Sequence, residues 1–184
     1  MIFISIWSIW FLSEILLNVL FRSGKKDKKG QDKGSIRFLW ICVGIGNFLG
    51  VIFFIFSKFP ISNLLMVRYL GLLLILVGMT LRFGAILSLG RLFTVDVTIR
   101  ENHSIKKDGA YRIVRHPMYF AMLLSFVGFG ISLNNWVSLF FITFLILIAL
   151  LNRIRIEEKL LIKQFGLEYL EYKKRTYRLI PFVY

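Results

Sequence analysis

The side chains best suited to chemistry lie in Gly109-Ala-Tyr-Arg-Ile-Val-Arg-His-Pro-Met-Tyr119, a polar segment between two apolar ones. Its first residue, a glycine, permits a tight turn, while Pro117 suits the first position of a helix and keeps His116 out of helical conformation. The pattern therefore places Arg112, Arg115 and His116 near a helix N-terminus, where free N–H groups already favour anions. We predict a site for a carboxylate or a phosphate, and the alternative is a set of ordinary interfacial cations.

A second group of charges follows a later apolar run, in Arg153-Ile-Arg-Ile-Glu-Glu-Lys159. Arg153 and Glu157 are four residues apart and Glu158 is adjacent, so the three lie close together on a helix that leaves the membrane. Two carboxylates beside a cluster of cations suit a zwitterionic ligand, because carboxylates bind an ammonium or ribose hydroxyls while His or Arg binds a carboxylate. The alternative is an amphipathic surface helix with ordinary intrahelical pairs.

Long apolar runs must position these groups. Hydrophobic residues make up 57% of the 184 residues and charged residues 18%, with a mean hydropathy of +0.71, which is the composition of an integral membrane protein. A helix of about 20 residues crosses a ~30 Å hydrocarbon core. We predict an all-α integral membrane protein with about five transmembrane helices, the last two forming a helical hairpin, and a cytoplasmic helical C-terminal tail. The predicted spans are residues 1–21, 38–57, 66–88, 118–133 and 136–151.

The basic residues predict the orientation of these spans. Of 24 Lys and Arg residues, 21 lie in 22–37, 89–117 and 153–184, and five spans put all three segments on one face. The positive-inside rule makes that face cytoplasmic, with the N-terminus outside and the C-terminus inside. The membrane is the cell membrane in a prokaryote or the endoplasmic reticulum in a eukaryote. The net charge of +14 then reflects topology and contact with membrane lipids, and nucleic-acid binding is disfavoured.

Neither a metal site nor a soluble nucleotide-binding unit is predicted. His103 and His116 have no nearby Cys or closely spaced carboxylates, so no metal-ligand spacing occurs. Cys42 lies within the second predicted span and is interpreted as a packing residue. Gly44-Ile-Gly-Asn-Phe-Leu-Gly50 has the wrong spacing for a dinucleotide fingerprint, and its last two glycines form a small-xxx-small pair that predicts helix packing.

Two charges fall inside predicted spans, Glu14 in the first and Arg82 in the third. They lie at similar depths below the cytoplasmic ends of their spans. An unpaired charge there is costly. We predict that they pair, directly or through water.

The polar motifs together resemble the isoprenylcysteine carboxyl methyltransferase family of integral membrane enzymes. The motifs are Gly-x-Tyr-Arg-x-x-Arg-His-Pro-x-Tyr at 109–119, Arg-x-x-x-Glu-Glu at 153–158, Phe-Gly-x-Glu-Tyr-x-x-Tyr at 165–172, Arg-Leu-Ile-Pro-Phe at 178–182, and upstream Leu81-Arg82 and Leu89-Gly-Arg-Leu-Phe-Thr94. On this basis we divide the single membrane domain, 1–184, into N-terminal spans with a basic loop, 1–77, and a methyltransferase-like catalytic region, 78–184.

The resemblance implies an S-adenosylmethionine-dependent methyltransferase that methylates a carboxylate of an isoprenylcysteine-like or other lipophilic acid at the cytoplasmic face. Such a carboxylate is ionised at pH 7, so the reaction needs alignment and dehydration rather than a general base. The implied catalytic residues are Arg153, which would hold the acceptor carboxylate, and Glu157. A role for Arg82 near the acceptor competes with its pairing to Glu14. The implied cofactor-binding residues are His116, Tyr119, Glu157, Glu158, Tyr111 and Arg115, followed by Tyr169 and Tyr172 of the tail.

Two other enzyme classes and a non-enzymatic scaffold remain open. The phospholipid N-methyltransferases look similar around Arg-His-Pro-x-Tyr and the paired glutamates, but they methylate an ammonium that must lose a proton. The membrane sterol reductases use NADPH and resemble the C-terminal motifs, yet they are longer, and Glu157-Glu158 departs from the Arg-Asp expected there. A scaffold would bind no adenosyl compound. The sequence leaves the natural methyl acceptor and the oligomeric state open.

Overall fold

The computed structural model describes residues 1–21, 34–90, 93, 95 and 104–184. His103, the lysine-rich segment 22–33 and half of the Leu89–Thr94 motif (residues 91, 92 and 94) lie outside these residues. The described residues form helices joined by irregular segments, with isolated bridges and no strand. Its elements are α1 (Ile2–Leu20), α2 (Ser35–Phe56), α3 (Leu65–Leu89), a 3₁₀ helix (Gly109–Arg112), α4 (Pro117–Ser132), α5 (Trp136–Phe165) and α6 (Leu167–Lys174).

The predicted all-α membrane fold is confirmed. Each predicted apolar run corresponds to a helix, and α1, α2, α3 and α5 are long and apolar enough to cross a bilayer. The shorter apolar helix α4 has 16 residues, and its crossing stays a prediction. Helix α5 does not end at residue 151 but continues to Phe165. At about 1.5 Å per residue it exceeds the ~30 Å core, so its final turns can carry Glu157 and Glu158 out of the hydrocarbon.

The predicted hairpin of α4 and α5 turns at two asparagines. Asn134 has a φ of 55°, a left-handed conformation that asparagine tolerates better than most residues. Asn135 is the N-cap of α5, and its side chain accepts hydrogen bonds from Val137 N at 3.0 Å and Ser138 N at 3.1 Å. The cap satisfies two N–H groups that would otherwise lack partners at the start of α5.

Helices α3 and α4 approach each other through glycines. A Cβ atom on Gly71 would lie 2.4 Å from Ser132 N, and one on Gly78 would lie 2.2 Å from Ser125 Oγ. Both distances are far below van der Waals contact. The absence of a side chain at these positions therefore sets the separation of α3 from α4.

Helices α2 and α5 pack through the predicted small-xxx-small pair. A Cβ on Gly50 would meet Ile142 Cδ1 at 2.5 Å, and one on Gly46 would lie 3.6 Å from Ile142 Cα. Ser138 Oγ donates a hydrogen bond to Gly50 O at 2.6 Å. The contacts confirm that these glycines serve helix packing.

Helix α1 joins the bundle through an aromatic contact and an ion pair. The buried Trp10 ring packs edge-on against Phe126, with 4.8 Å between ring centroids. Glu14 Oε1 lies 2.8 Å from Arg82 Nε, so the predicted pairing is confirmed. Arg82 Nη1 also donates to Met118 O at 3.2 Å, which connects the pair to the first turn of α4.

Candidate functional site

His116 occupies the position predicted from the proline that follows it. It is the N-cap of α4, with φ −123° and ψ 59°, and Pro117 is the first helical residue. The turn before it begins at Gly109, whose φ is +57°. The His116 side chain is buried, and its Nε2 atom has no hydrogen-bond partner among the described residues.

Tyr119 links α4 to α5 through its hydroxyl group. The hydroxyl donates to Glu157 Oε2 at 2.8 Å and accepts from Arg153 Nε at 3.0 Å. The His116 ring stacks on the Tyr119 ring, with centroids 5.6 Å apart. One phenol therefore orients three of the residues that the motifs had singled out.

Arg153 is only 3% exposed. Its Nη1 donates to Ser35 Oγ at 3.0 Å, and its Nη2 donates to the carbonyl oxygen of Val95. The guanidinium therefore connects the start of α2, the segment at Val95 and helix α4. Sequence reasoning missed Ser35, because a serine after a glycine carries no signal for a contact across 118 positions.

Glu158 is surrounded by cations. Its carboxylate lies 3.2 Å from Arg115 Nε, 3.4 Å from Lys173 Nζ and 3.0 Å from Arg178 Nη2. His116 Nε2 lies 3.6 Å from the same carboxylate, beyond hydrogen-bond distance. The anion predicted to sit near the start of α4 is thus supplied by the chain itself in this structure.

Arg115 also ties the motif to the C-terminal tail. Its Nη1 donates to Lys173 O at 3.0 Å and to the carbonyl oxygen of Thr176, and its backbone N–H donates to Tyr177 O at 2.8 Å. Arg112, by contrast, is exposed. Of the two arginines in the motif, Arg115 is the one held at the site.

The three candidate tyrosines other than Tyr119 differ in their surroundings. Tyr172 OH donates to Tyr111 O at 2.6 Å, and burial raises the pKa of Tyr172 to about 12, so this phenol remains a neutral donor. The Tyr111 hydroxyl packs against α3, 3.5 Å from Ala85 O. Burial also raises the pKa of Tyr169, whose hydroxyl has no hydrogen-bond partner among the described residues.

A cleft of about 340 Å³ opens beside Glu158. Its volume is near the lower end of the roughly 300–1,000 Å³ usual for small-ligand sites. Sequence reasoning placed Arg115 and Glu158 there and included Arg178 in a motif, but it assigned no site role to the tail residues that line the cleft, because the basic residues of the tail had been explained by membrane topology. The other lining residues are Lys173, Thr176, Tyr177, Arg178 and Tyr184.

The site combines anionic and cationic side chains with two buried polar groups that form no hydrogen bond within the described residues. Glu157 and Glu158 supply carboxylates, and Arg115, Lys173 and Arg178 supply cations. His116 Nε2 and Tyr169 OH are buried and unpartnered within the described chain, and such groups are costly unless a ligand or water satisfies them. The arrangement fits a zwitterionic ligand.

Comparison with known proteins places the chain in a family. The model of the isoprenylcysteine carboxyl methyltransferase family matches residues 70–163, just over half of the chain. The chain belongs to the isoprenylcysteine carboxyl methyltransferase family. The matched segment of this methyltransferase-family protein includes Arg115, His116, Tyr119, Arg153 and the Glu157–Glu158 pair, so the resemblance seen in the motifs is confirmed.

Curated relatives of this family member carry the same name in plants and fungi. Protein-S-isoprenylcysteine O-methyltransferase A of Arabidopsis thaliana is 36% identical over 115 residues, covering 61% of this chain and 58% of the relative. The Saccharomyces cerevisiae enzyme is 35% identical over 116 residues, with 62% and 48% covered. The Schizosaccharomyces pombe enzyme is 32% identical over 144 residues, with 77% and 57% covered. The matches span about half of the length of these relatives.

The fold of the family member is also found in a solved structure. The eukaryotic intramembrane Ras methyltransferase, an isoprenylcysteine carboxyl methyltransferase, superimposes with a TM-score of 0.70 at 23% identity. The superposition covers 98% of this chain and 65% of that structure. The shared arrangement therefore extends through the N-terminal helices, where no sequence motif was matched.

Proposed function

We propose that this protein is an integral membrane, S-adenosylmethionine-dependent methyltransferase that esterifies the carboxylate of an isoprenylcysteine-like or other lipophilic acid at the cytoplasmic face. The observation that carries the proposal is the meeting of His116, Tyr119, Arg153, Glu157 and Glu158 at the junction of α4 and α5. All five residues lie inside the segment that matches the family.

The charged groups suit the polar parts of S-adenosylmethionine, which supplies an activated methyl group when bound. Glu157 and Glu158 would face its ammonium or ribose hydroxyls, and Arg115 and His116 would face its carboxylate. His116 Nε2 and Tyr169 OH are buried and form no hydrogen bond with any described residue, which supports this fit, since a bound ligand can satisfy them.

Arg153 is suited to hold the acceptor carboxylate. Two of its contacts, from Nη1 to Ser35 Oγ and from Nη2 to Val95 O, are to neutral oxygens, and an acceptor carboxylate would make stronger, charge-assisted bonds than these. Tyr119 holds the Nε side of the guanidinium at 3.0 Å. The planar cation is thereby oriented before an acceptor arrives.

Burial completes the chemistry that these residues perform. Arg153 is 3% exposed and His116 is 4% exposed, so the acceptor carboxylate would lose its water shell where it meets the guanidinium. No side chain has to remove a proton from an ionised acceptor. The residues bind, align and exclude water, which is sufficient for transfer of an activated methyl group.

The identity of the product tests the proposal. Purified protein is incubated with methyl-labelled S-adenosylmethionine and either a prenylcysteine analogue or a total lipid extract. We expect base-labile label that is released as methanol, the signature of a carboxyl ester. Base-stable label in lipid would instead assign N-methylation of an aminophospholipid and contradict the proposal.

Arg153→Lys tests the role of the arginine in the same assay. A lysine keeps the charge but loses the planar, bidentate geometry, so we expect the KM for the prenylcysteine analogue to rise while the binding of S-adenosylhomocysteine changes little. Lys163→Arg, at an exposed position of α5, is the control. An unchanged KM in Arg153→Lys would remove Arg153 from acceptor binding.

A further inference from the structure

A second cavity lies at the end of the helical bundle opposite Glu158. It has a volume of about 300 Å³ and is lined by Lys58, Arg68 and the Asn134–Asn135 turn, among others. Helix α5 begins beside it at Trp136 and reaches Glu158 only 22 residues later, about 33 Å along the helix axis. The cavity is therefore separate from the site described above.

Among the residues that the structure describes, no carboxylate pairs with the cations of this cavity. The sequence contains no Asp or Glu between Asp32 and Asp96 or between residues 109 and 156, and every residue that lines the cavity falls in one of these two intervals. Neither Lys58 nor Arg68 forms an ion pair within the described chain. Both cations can therefore pair with the negative charge of a ligand.

Arg68 is held in place by two contacts. Its Nε donates to Ser132 O at 3.1 Å, and its guanidinium carbon lies 4.6 Å from the centroid of the Phe3 ring. These contacts use one N–H and one face of the group. The two Nη groups remain for a ligand that accepts hydrogen bonds.

Hydrogen bonds from asparagine side chains also hold the backbone around the cavity in place before any ligand binds. Asn134 Oδ1 accepts from Ser62 N at 3.1 Å, and Asn134 Nδ2 donates to Ser62 O at 2.8 Å. Asn135 Nδ2 donates to Ser57 O at 3.1 Å. The three chain segments that form the cavity are thus connected to one another, which lowers the entropy cost of binding a ligand between them.

The side chains, rather than the helix termini, make the electrostatic field in the cavity positive. Helices α3 and α5 begin at this end of the bundle, at Leu65 and Trp136, and α2 and α4 end there, at Phe56 and Ser132, so the partial charges of the helix termini oppose one another. Lys58 and Arg68 remain, with no carboxylate in the segments that line the cavity, and they attract anions.

We propose that the pocket formed by Lys58, Arg68 and the Asn134–Asn135 turn binds a phosphate-bearing anion at the membrane face opposite the methyltransferase site. A phospholipid headgroup is the source that suits its position. Exposed apolar side chains flank the pocket on the α2–α3 connection, where acyl chains can cover them. They include Phe56 at 78%, Phe59 at 65% and Leu64 at 67% exposure. The site is independent of the proposed methyl transfer.

The test uses purified full-length protein in neutral detergent, with phosphatidylglycerol retention measured by native mass spectrometry. Lysine or arginine near an anionic surface contributes about a factor of five to binding, so Lys58→Gln with Arg68→Gln should weaken retention by about 30-fold. The matched control is Lys159→Gln with Lys163→Gln, which removes the same charge from exposed positions on α5 and should retain the lipid as wild type does. Lys58→Gln alone should weaken retention by about fivefold, without disturbing the Arg68 contacts.

A second arm identifies the source of the phosphate. Wild-type and doubly substituted protein are heated with inorganic phosphate in lipid-free detergent. If phosphate raises the unfolding temperature of the wild type but not of the double variant, the site binds a soluble phosphate. The same measurement is made with phosphatidylglycerol, and a rise with this lipid but not with phosphate supports a lipid headgroup. Equal lipid retention and equal phosphate response in wild type, Lys58→Gln and the double variant would overturn the proposal.

Discussion

The Tyr119 hydroxyl lies 2.8 Å from Glu157 Oε2 and 3.0 Å from Arg153 Nε. A hydroxyl can donate one hydrogen bond and accept another, so Tyr119 connects an anion and a cation on the neighbouring helix without a charge of its own. Removal of this oxygen leaves both ionic groups with fewer partners. At the scale of single residues, Tyr119 is therefore the most direct test of how the site is organised.

Tyr119→Phe keeps the aromatic ring that stacks on His116 and removes only the hydroxyl. Hydrogen bonds to charged groups contribute about 1.5–3 kcal/mol, so we expect kcat/KM for methyl transfer to fall about 10- to 150-fold while the protein still folds. Tyr69→Phe, at an exposed position of α3, provides the control and should retain full activity. Equal activity in the two variants would show that the hydroxyl link is dispensable.

The polar motifs predicted much of the site and missed its tertiary partners. His116 and Pro117 specify a local conformation, and Arg153, Glu157 and Glu158 share one helix, so short-range geometry was sufficient to place them. Long-range packing brings Lys173 and Ser35 to the site, and it leaves no periodic signal in a single sequence. Arg178 begins one of the motifs, but the motif did not show that it contacts Glu158. The cations of the tail were also ambiguous, because the positive-inside rule explains basic residues without assigning them a contact.

At the scale of helices, the Glu14–Arg82 pair joins α1 to α3, and Arg82 holds the Met118 carbonyl at the start of α4. Similar depth in the two spans was sufficient to predict the pair. The competing prediction is that Arg82 binds the acceptor. Measurements of stability and of activity distinguish the two roles of Arg82.

Arg82→Met should destabilise the detergent-solubilised protein, because it leaves a buried carboxylate without its cation. Loss of one partner of a buried pair typically costs about 3–5 kcal/mol, whereas an uncharged replacement for both restores part of that loss. We therefore expect Glu14→Gln combined with Arg82→Met to be more stable than Arg82→Met alone, as measured by thermal unfolding. Lost methyl transfer at unchanged stability in Arg82→Met would argue against structural pairing and for the acceptor role.

Two glycines of α3 give a matched test of helix separation. Gly78→Ala would place a Cβ 2.2 Å from Ser125 Oγ and 2.8 Å from Ala121 O, whereas Gly84→Ala meets nothing within 4 Å. Overpacking typically costs about 1–3 kcal/mol, so Gly78→Ala should lower the unfolding temperature and Gly84→Ala should not. If both variants melted with the wild type, close α3–α4 contact would not be a determinant of stability.

The helix boundaries show where composition was informative and where it was not. The apolar runs predicted α1, α2, α3 and α4 to within a few residues, because loss of hydrophobicity coincides with the helix ends. Helix α5 continues beyond its apolar run to Phe165, since residues such as Arg, Glu, Lys and Leu favour helix without being uniformly apolar. Hydropathy predicts the part of a helix that crosses the bilayer and not the full length of the helix. The part of α5 beyond the apolar run includes Glu157 and Glu158.

At the scale of the whole molecule, the polar site and the cationic cavity occupy opposite ends of the bundle. The basic residues predict that the end with Glu158 faces the cytoplasm. The cofactor would then bind at the cytoplasmic end, and an anionic lipid would bind at the opposite end.

Cysteine labelling tests this orientation. Cys42 is the single cysteine, so a Cys42→Ala protein provides a background for Lys58→Cys or Lys174→Cys, both at exposed positions. In intact cells or sealed vesicles of cytoplasm-inside orientation, an impermeant maleimide should label Lys58→Cys directly and Lys174→Cys only after permeabilisation. The reverse pattern would place the N-terminus and the cationic cavity on the cytoplasmic side.

Binding of S-adenosylhomocysteine to the purified protein is the most direct test of the central claim, that the α4–α5 junction and the tail form a methyltransferase cofactor site. The test is a calorimetric titration of wild type, Glu158→Ala and Glu171→Ala. Glu158 contacts three cations at the cleft, whereas Glu171 pairs with Lys174 on the exposed surface of the tail and provides the control. We expect saturable binding to wild type and Glu171→Ala and binding at least about tenfold weaker to Glu158→Ala, consistent with loss of a buried charged partner. Absence of binding to wild type, or equal binding to all three proteins, would contradict the assignment of the cofactor site.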